Sequence, residues 1–156
     1  MSAILRAALI SAAGVALVEL VLALSGWIVH PSLGYLAWAS LPIIVACAIA
    51  GVRGSAREGR DYAGQIVAGV EIGIAAGLLA AGLTWLIHQV IYPETLALAR
   101  ALAEARVLAA GGDADAIADA AGLASPFGRA LLRFVEVMVT SLLVGLAVAR
   151  RPPPRS

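Results

Sequence analysis

Four apolar stretches, residues 7–29, 36–52, 63–91 and 127–149, constrain this chain more than any other feature. Each meets the length of roughly 20 residues that a helix needs to cross a bilayer. In lipid a backbone polar group finds no water, so a spanning segment of this kind has to satisfy its own hydrogen bonds as a helix. Composition agrees. Hydrophobic residues make up 62% and charged residues 13%, against roughly 45–50% and about 25% in soluble domains. The expected fold is all-α: a polytopic membrane protein with four transmembrane helices, residues 1–156 forming one membrane domain. Arg6 before the first stretch and Ala23-Leu24-Ser25 within it resemble a signal peptide. The apolar run is too long for one and carries Glu19, so a retained span is expected.

All eleven basic residues are arginine, and the chain has no lysine or asparagine, a bias that reads as a GC-rich bacterial gene. The net charge of +1 and the lack of a basic stripe interleaved with aromatics exclude a nucleic-acid role. Arg6, the Arg53, Arg57 and Arg60 loop, and the Arg150, Arg151 and Arg155 tail all fall on one side of a four-span chain. The positive-inside rule makes that side cytoplasmic. The expected location is the bacterial inner membrane, multi-pass, with both termini cytoplasmic; Arg129 and Arg133 enter from the other side.

The outer side then holds a short His30-Pro31-Ser32 turn and a long segment at about 93–124. Pro93-Glu94 suits a helix start, and Leu98, Leu102, Ala105 and Leu108 recur at helical spacing up to Gly111-Gly112. Asp113 caps a second short helix ending at Gly122, and Ser125-Pro126 reads as the N-cap and first position of the last span. This extra amphipathic helical segment lies on the outer membrane face or packs on the bundle, packing being the default. The tail from Arg151 through Pro152–Pro154 to Arg155 is a helix stop and basic anchor.

Spacing also identifies packing faces. Gly69, Gly73 and Gly77 recur every four residues, with Ala81 continuing the row. Such small-residue rows let helix backbones approach closely where no hydrophobic force draws them together, within one chain or between copies. Glu71 projects about 200° from that row, on a face with Ala68, Ala75, Leu78, Gly82 and Trp85. Both faces of the third helix therefore invite protein neighbours, and a homo-oligomer or a partner membrane protein is expected beside the lipid bilayer.

Glu19, Glu71 and Glu136 lie inside the apolar stretches, where a charged carboxylate costs on the order of 3 kcal/mol. Glu19 shares a face with Ala8, Ala12, Ala16, Ala23 and Gly26 and so points into a helix contact. Arg129, Arg133, Glu136 and Thr140 share one stripe of the fourth span, within about 40° of one another. Glu19 and Glu136 lie roughly 15 Å from the outer ends, and Arg133 roughly 10 Å. The three predict one buried polar cluster, either an ion pair that orients helices or a proton- or cation-binding site. Glu71 has no basic residue nearby on its helix and is the candidate protonatable site.

The remaining residues point to no chemistry. His30 and His88 are too few for a metal set, and His88 is expected at the interface beside Trp85 and Tyr92. Trp27 and Trp38 bracket the outer turn, Pro42 is expected to kink the second span, and Cys47 reads as a small core residue. No phosphate-binding glycine loop with lysine, HExxH, GxSxG or paired magnesium-binding aspartates occur. No catalytic, cofactor-binding or metal residue is assigned, and no cofactor is expected.

One family resemblance is present. Gly34-Tyr35 through the second span to Val52-Arg53, then Gly59, Tyr62, Ala63 and Gly69, resembles the bacterial membrane family called domain of unknown function 4199. So do the Tyr92-Pro93-Glu94 exit, the helical segment after it and the final span closed by basic residues. Tyr62 stands where that family usually carries phenylalanine. The resemblance implies four spans and a bacterial envelope setting, and it implies no activity or binding residues. The expectation for function is a non-enzymatic helix-packing, oligomeric or accessory module of the inner membrane. The alternative is a small proton- or cation-coupled transporter using the intramembrane glutamates, similar in architecture to small multidrug exporters.

Overall fold

The computed structural model describes residues 1–27 and 34–149. The His30-Pro31-Ser32 turn and the tail from Arg150 onward lie outside the described residues. Among the described residues the chain is helical throughout, with no strand. Helix α1, Ala3–Ser25, starts at Ser2, whose hydroxyl accepts from the Leu5 N–H at 3.3 Å, and ends at Gly26. A 3-10 stretch, Gly34–Ser40, leads into α2, Leu41–Arg57. The α2–α3 turn uses Gly59 at φ 92, a left-handed conformation that favours glycine. Asp61 then caps α3, Tyr62–Leu86, accepting from the Gly64 N–H at 2.7 Å. Helix α3 continues without a break into a π-helical turn, Ile87–Ile91.

The segment between the third and fourth spans forms two helices, α4, Pro93–Ala109, and α5, Ala114–Leu123, the second capped by Asp113. Helix α6, Pro126–Val148, follows its Ser125 cap. Four segments have the length and apolar character of membrane spans: Ala3–Ser25, Trp38–Arg57, Tyr62–Ile91 and Pro126–Val148. Pro42, expected to kink the second of these, stands at the start of its α-helical part. It lies in the first turn of α2, where a residue without an N–H interrupts no helical hydrogen bond. The amphipathic stripe of α4 is also placed differently from the packing expectation: Leu98 and Leu108 are exposed, and the buried position is Leu96.

Helices α3 and α6 form the closest pair. Helix α1 packs on α2 and α3, and α2 also meets α3 and α6, so α1 and α6 stand diagonally across the bundle. The interior is made of small side chains: Ala8, Ala12, Ala76 and Ala80 surround Val15, Ile44 and Val137. Leu17, Val67, Leu78, Leu131 and Leu143 point outward. Small inside and large outside suits a lipid environment, where close backbone packing holds helices together.

The glycine row is used within the chain. A Cβ at Gly69 would lie 2.9 Å from the Gly145 Cα and from the Ser141 carbonyl oxygen. At Gly73 it would lie 3.1 Å from the Met138 Cα, and at Gly77 3.0 Å from the Phe134 ring. Gly82, off this row, has no neighbour among the described residues within 4 Å of such an atom. Gly69→Ala should therefore destabilise the bundle by about 1–3 kcal/mol through overpacking. Gly82→Ala should be neutral or stabilising by up to about 1 kcal/mol. Denaturant unfolding in micelles followed by helical circular dichroism reads both.

Candidate functional site: a buried ionic network

Glu19 lies on the α1 face that carries Ala8, Ala12, Val15 and Leu22, and its side chain is fully buried. Three side chains from two other helices converge on its carboxylate. Arg133, on α6, donates to Oε1. Arg129, one turn earlier, donates from Nε to Oε2 at 3.2 Å and from Nη2 to Oε1 at 3.4 Å. His88, in the π-helical turn after α3, places Nε2 3.1 Å from Oε2. Arg133 also pairs with Glu136 and donates to the Ser40 hydroxyl at 3.2 Å. Ser40 in turn donates to Glu136 Oε1 at 2.8 Å. Glu19, Arg133 and Glu136 are thus brought together, with three further members from elsewhere in the chain.

All four spans contribute. The network comprises two arginines and two glutamates, so its charges balance when His88 carries only its Nε2 hydrogen. That tautomer fits the geometry, because a carboxylate accepts and cannot donate. Among the described residues, the buried His88 Nδ1 has no hydrogen-bond partner. Each charge buried here has an opposite charge in contact. Without that, placing ions in the low dielectric of a membrane interior is prohibitive.

Two sequence expectations are corrected. His88 is fully buried rather than interfacial. It ends a series in steps of four, Ala76, Ala80, Thr84 and His88, every member of which is buried. That spacing is the sequence signal that identifies it. The π-helical turn closes with the Tyr92 N–H donating to the Ile87 carbonyl at 2.7 Å, and such turns are uncommon and often mark functional positions. Glu71, expected to lack a basic neighbour, pairs with Arg60 at 2.8 Å, and its side chain is 43% exposed. Arg60 precedes α3 and reaches along it, a partner that steps of three or four on one helix do not reveal. Arg129 was visible on the α6 stripe. Ser40 carried no signal, since its partners are 93 and 96 residues away.

Among the described residues no three His, Cys, Asp or Glu side chains are grouped to hold a metal ion. Cys47 is half-buried and free. No family model matches the chain, and no curated protein or solved structure is significantly similar to it.

The two ion pairs should differ sharply in worth. Arg133→Gln strips Glu19 and Glu136 of their shared cation and should destabilise by about 3–5 kcal/mol, the range for breaking a buried pair. Arg60→Gln removes a partly exposed pair and should shift stability by no more than about 1 kcal/mol. The same unfolding measurement separates them.

Proposed function

We propose that this chain is a non-enzymatic, multi-pass module of the bacterial inner membrane whose buried ionic network fixes the mutual placement of its spans. The observation that supports this reading is the full burial of Glu19 against Arg129, Arg133 and His88. A carboxylate that binds and releases an ion during transport has to be reached from each side of the membrane in turn. Glu19 is reached from neither, and two guanidiniums occupy the positions a cation would take. Membership of the family that the Gly34–Gly69 motifs resemble belongs to this proposal. Association with a second copy or another membrane protein belongs to it too. It would use the large outward side chains, because α6 already occupies the glycine row.

The competing reading is proton- or cation-coupled transport. The Nδ1 of His88 beside Glu19, without a partner among the described residues, is the observation in its favour. Proteoliposomes under a pH gradient discriminate. The packing module predicts no flux above protein-free vesicles for the wild type, Glu19→Gln or Glu71→Gln, together with marked destabilisation in Glu19→Gln alone. Gradient-driven flux in the wild type, abolished by Glu19→Gln, would sink the packing reading.

Orientation is tested separately. The end of the bundle carrying Arg6, Arg53, Arg57 and Arg60 is assigned to the cytoplasm by the positive-inside rule. Glu58 at that end accepts from the Ala3 N–H at 2.9 Å, tying the start of α1 to the α2–α3 turn. In a Cys47→Ala background, a membrane-impermeant maleimide added outside spheroplasts should label Ala105→Cys and spare Ser2→Cys. The reverse pattern would invert the topology.

A further inference from the structure

The ionic network opens onto a pocket. A pocket of about 200 Å³ is lined by Trp38, Arg129, Leu132, Arg133 and Glu136. Within it, Arg133 and Glu136 are bonded to each other and to Ser40, and Arg133 also holds Glu19. Arg129 differs. Its Nε and Nη2 make two long bonds to Glu19, its Nη1 has no partner among the described residues, and the side chain is 22% exposed. A guanidinium carries five N–H donors, so Arg129 retains donors directed away from Glu19.

The placement fits an amphiphile. Arg129 lies in the first turn of α6, roughly 5 Å along the helix from its start, at the end of the span where headgroups lie. Trp38 opens the second span and is exposed, as expected of an aromatic ring at a membrane interface. Leu132, three residues beyond Arg129, is exposed on the side toward the bilayer interior. A cation at the rim with apolar walls below it matches a phosphate joined to an acyl chain.

We propose that this pocket binds the phosphate of an anionic phospholipid, with Arg129 as its ligand and Trp38 and Leu132 against the upper part of an acyl chain. Charge favours the anionic class over the zwitterionic one. A zwitterionic headgroup brings an ammonium beside two arginines. Glu136 already accepts from Ser40 and Arg133. The inference rests on the membrane setting and not on whether the chain is a packing module or a transporter.

Native mass spectrometry of the full chain, released from micelles containing equal amounts of phosphatidylglycerol, phosphatidylcholine and a phosphate-free glycolipid, tests it. The wild type should retain phosphatidylglycerol roughly five-fold over phosphatidylcholine, the preference one basic side chain confers near a membrane surface. Arg129→Gln should abolish that preference. Because Arg129 also touches Glu19, Leu132→Trp provides a second variant, filling the pocket while leaving every member of the network in place, and should abolish it as well. Equal retention of the two phospholipids by the wild type, or a preference unchanged in Leu132→Trp, overturns the site while leaving the membrane setting intact. Displacement of phosphatidylglycerol by inorganic phosphate at matched concentration would assign the pocket to the free ion and overturn the lipid assignment.

Discussion

The carboxylate of Glu19 is the group on which the arrangement of the spans depends. Helices α1 and α6 stand diagonally apart, and the link between them at this level is Glu19 with Arg129 and Arg133. His88 adds the end of α3, and Ser40 with Glu136 adds the start of the second span. A charge in this position costs on the order of 3 kcal/mol before its partners are counted. Each partner therefore acts as a condition on the others. Withdraw one arginine and a carboxylate is left uncompensated in a low dielectric; move one helix and the donors no longer converge. Buried ion pairs are weak evidence of stability in general. Here the stronger consequence is geometric, since few arrangements of four apolar helices bring these six side chains together.

The glycine row and the ionic network are one mechanical system. The row begins where Gly69 meets Gly145 and proceeds along α3 to Gly77, which meets Phe134. Phe134 is the residue after Arg133. The close approach of α3 and α6 thus continues to the turn of α6 that carries the arginine, and it sets how far the guanidinium stands from α1. Small residues fix the backbone separation, and the long arginine side chain spans the remaining diagonal. In a bilayer, where lipid tails are as apolar as leucine, neither function could be performed by larger core side chains drawn together by water.

The sequence shows clearly whatever is written locally. Helix starts at Asp113 and Ser125 are legible because each cap acts on an N–H three residues away. The spans are legible because apolar length is a property of one segment. The cluster of Glu19, Arg133 and Glu136 is partly legible, since depth along a helix and a shared face are both countable. Spacing in steps of four marks His88 as buried, but its partner and those of Ser40 lie on other elements, 69 and 96 residues distant, and are not legible. Glu71 shows the opposite failure. Its pair with Arg60 is eleven residues away and lies along the outside of α3, beyond the steps of three and four used to find helical neighbours. Pro42 misleads for a related reason: whether proline kinks a helix or starts one depends on where the preceding 3-10 stretch ends.

The network has a closed side and an open side, and the difference decides what can be altered without unfolding the bundle. Glu19 has no exposure, and Arg133 only a small one where it meets the pocket. Arg129 touches the same carboxylate only through bonds of 3.2 and 3.4 Å and faces the pocket with the rest of its guanidinium. Drawing Arg129 outward would loosen two long bonds while Arg133 and His88 kept their own bonds to Glu19. Occupancy of the pocket and integrity of the bundle are therefore separable, although they share a carboxylate. A ligand at Arg129 acts on α1 through Glu19 alone, and its influence is limited to what those two bonds contribute. Arg133, by contrast, holds both glutamates, so a change there reaches α1 and the start of the second span at once.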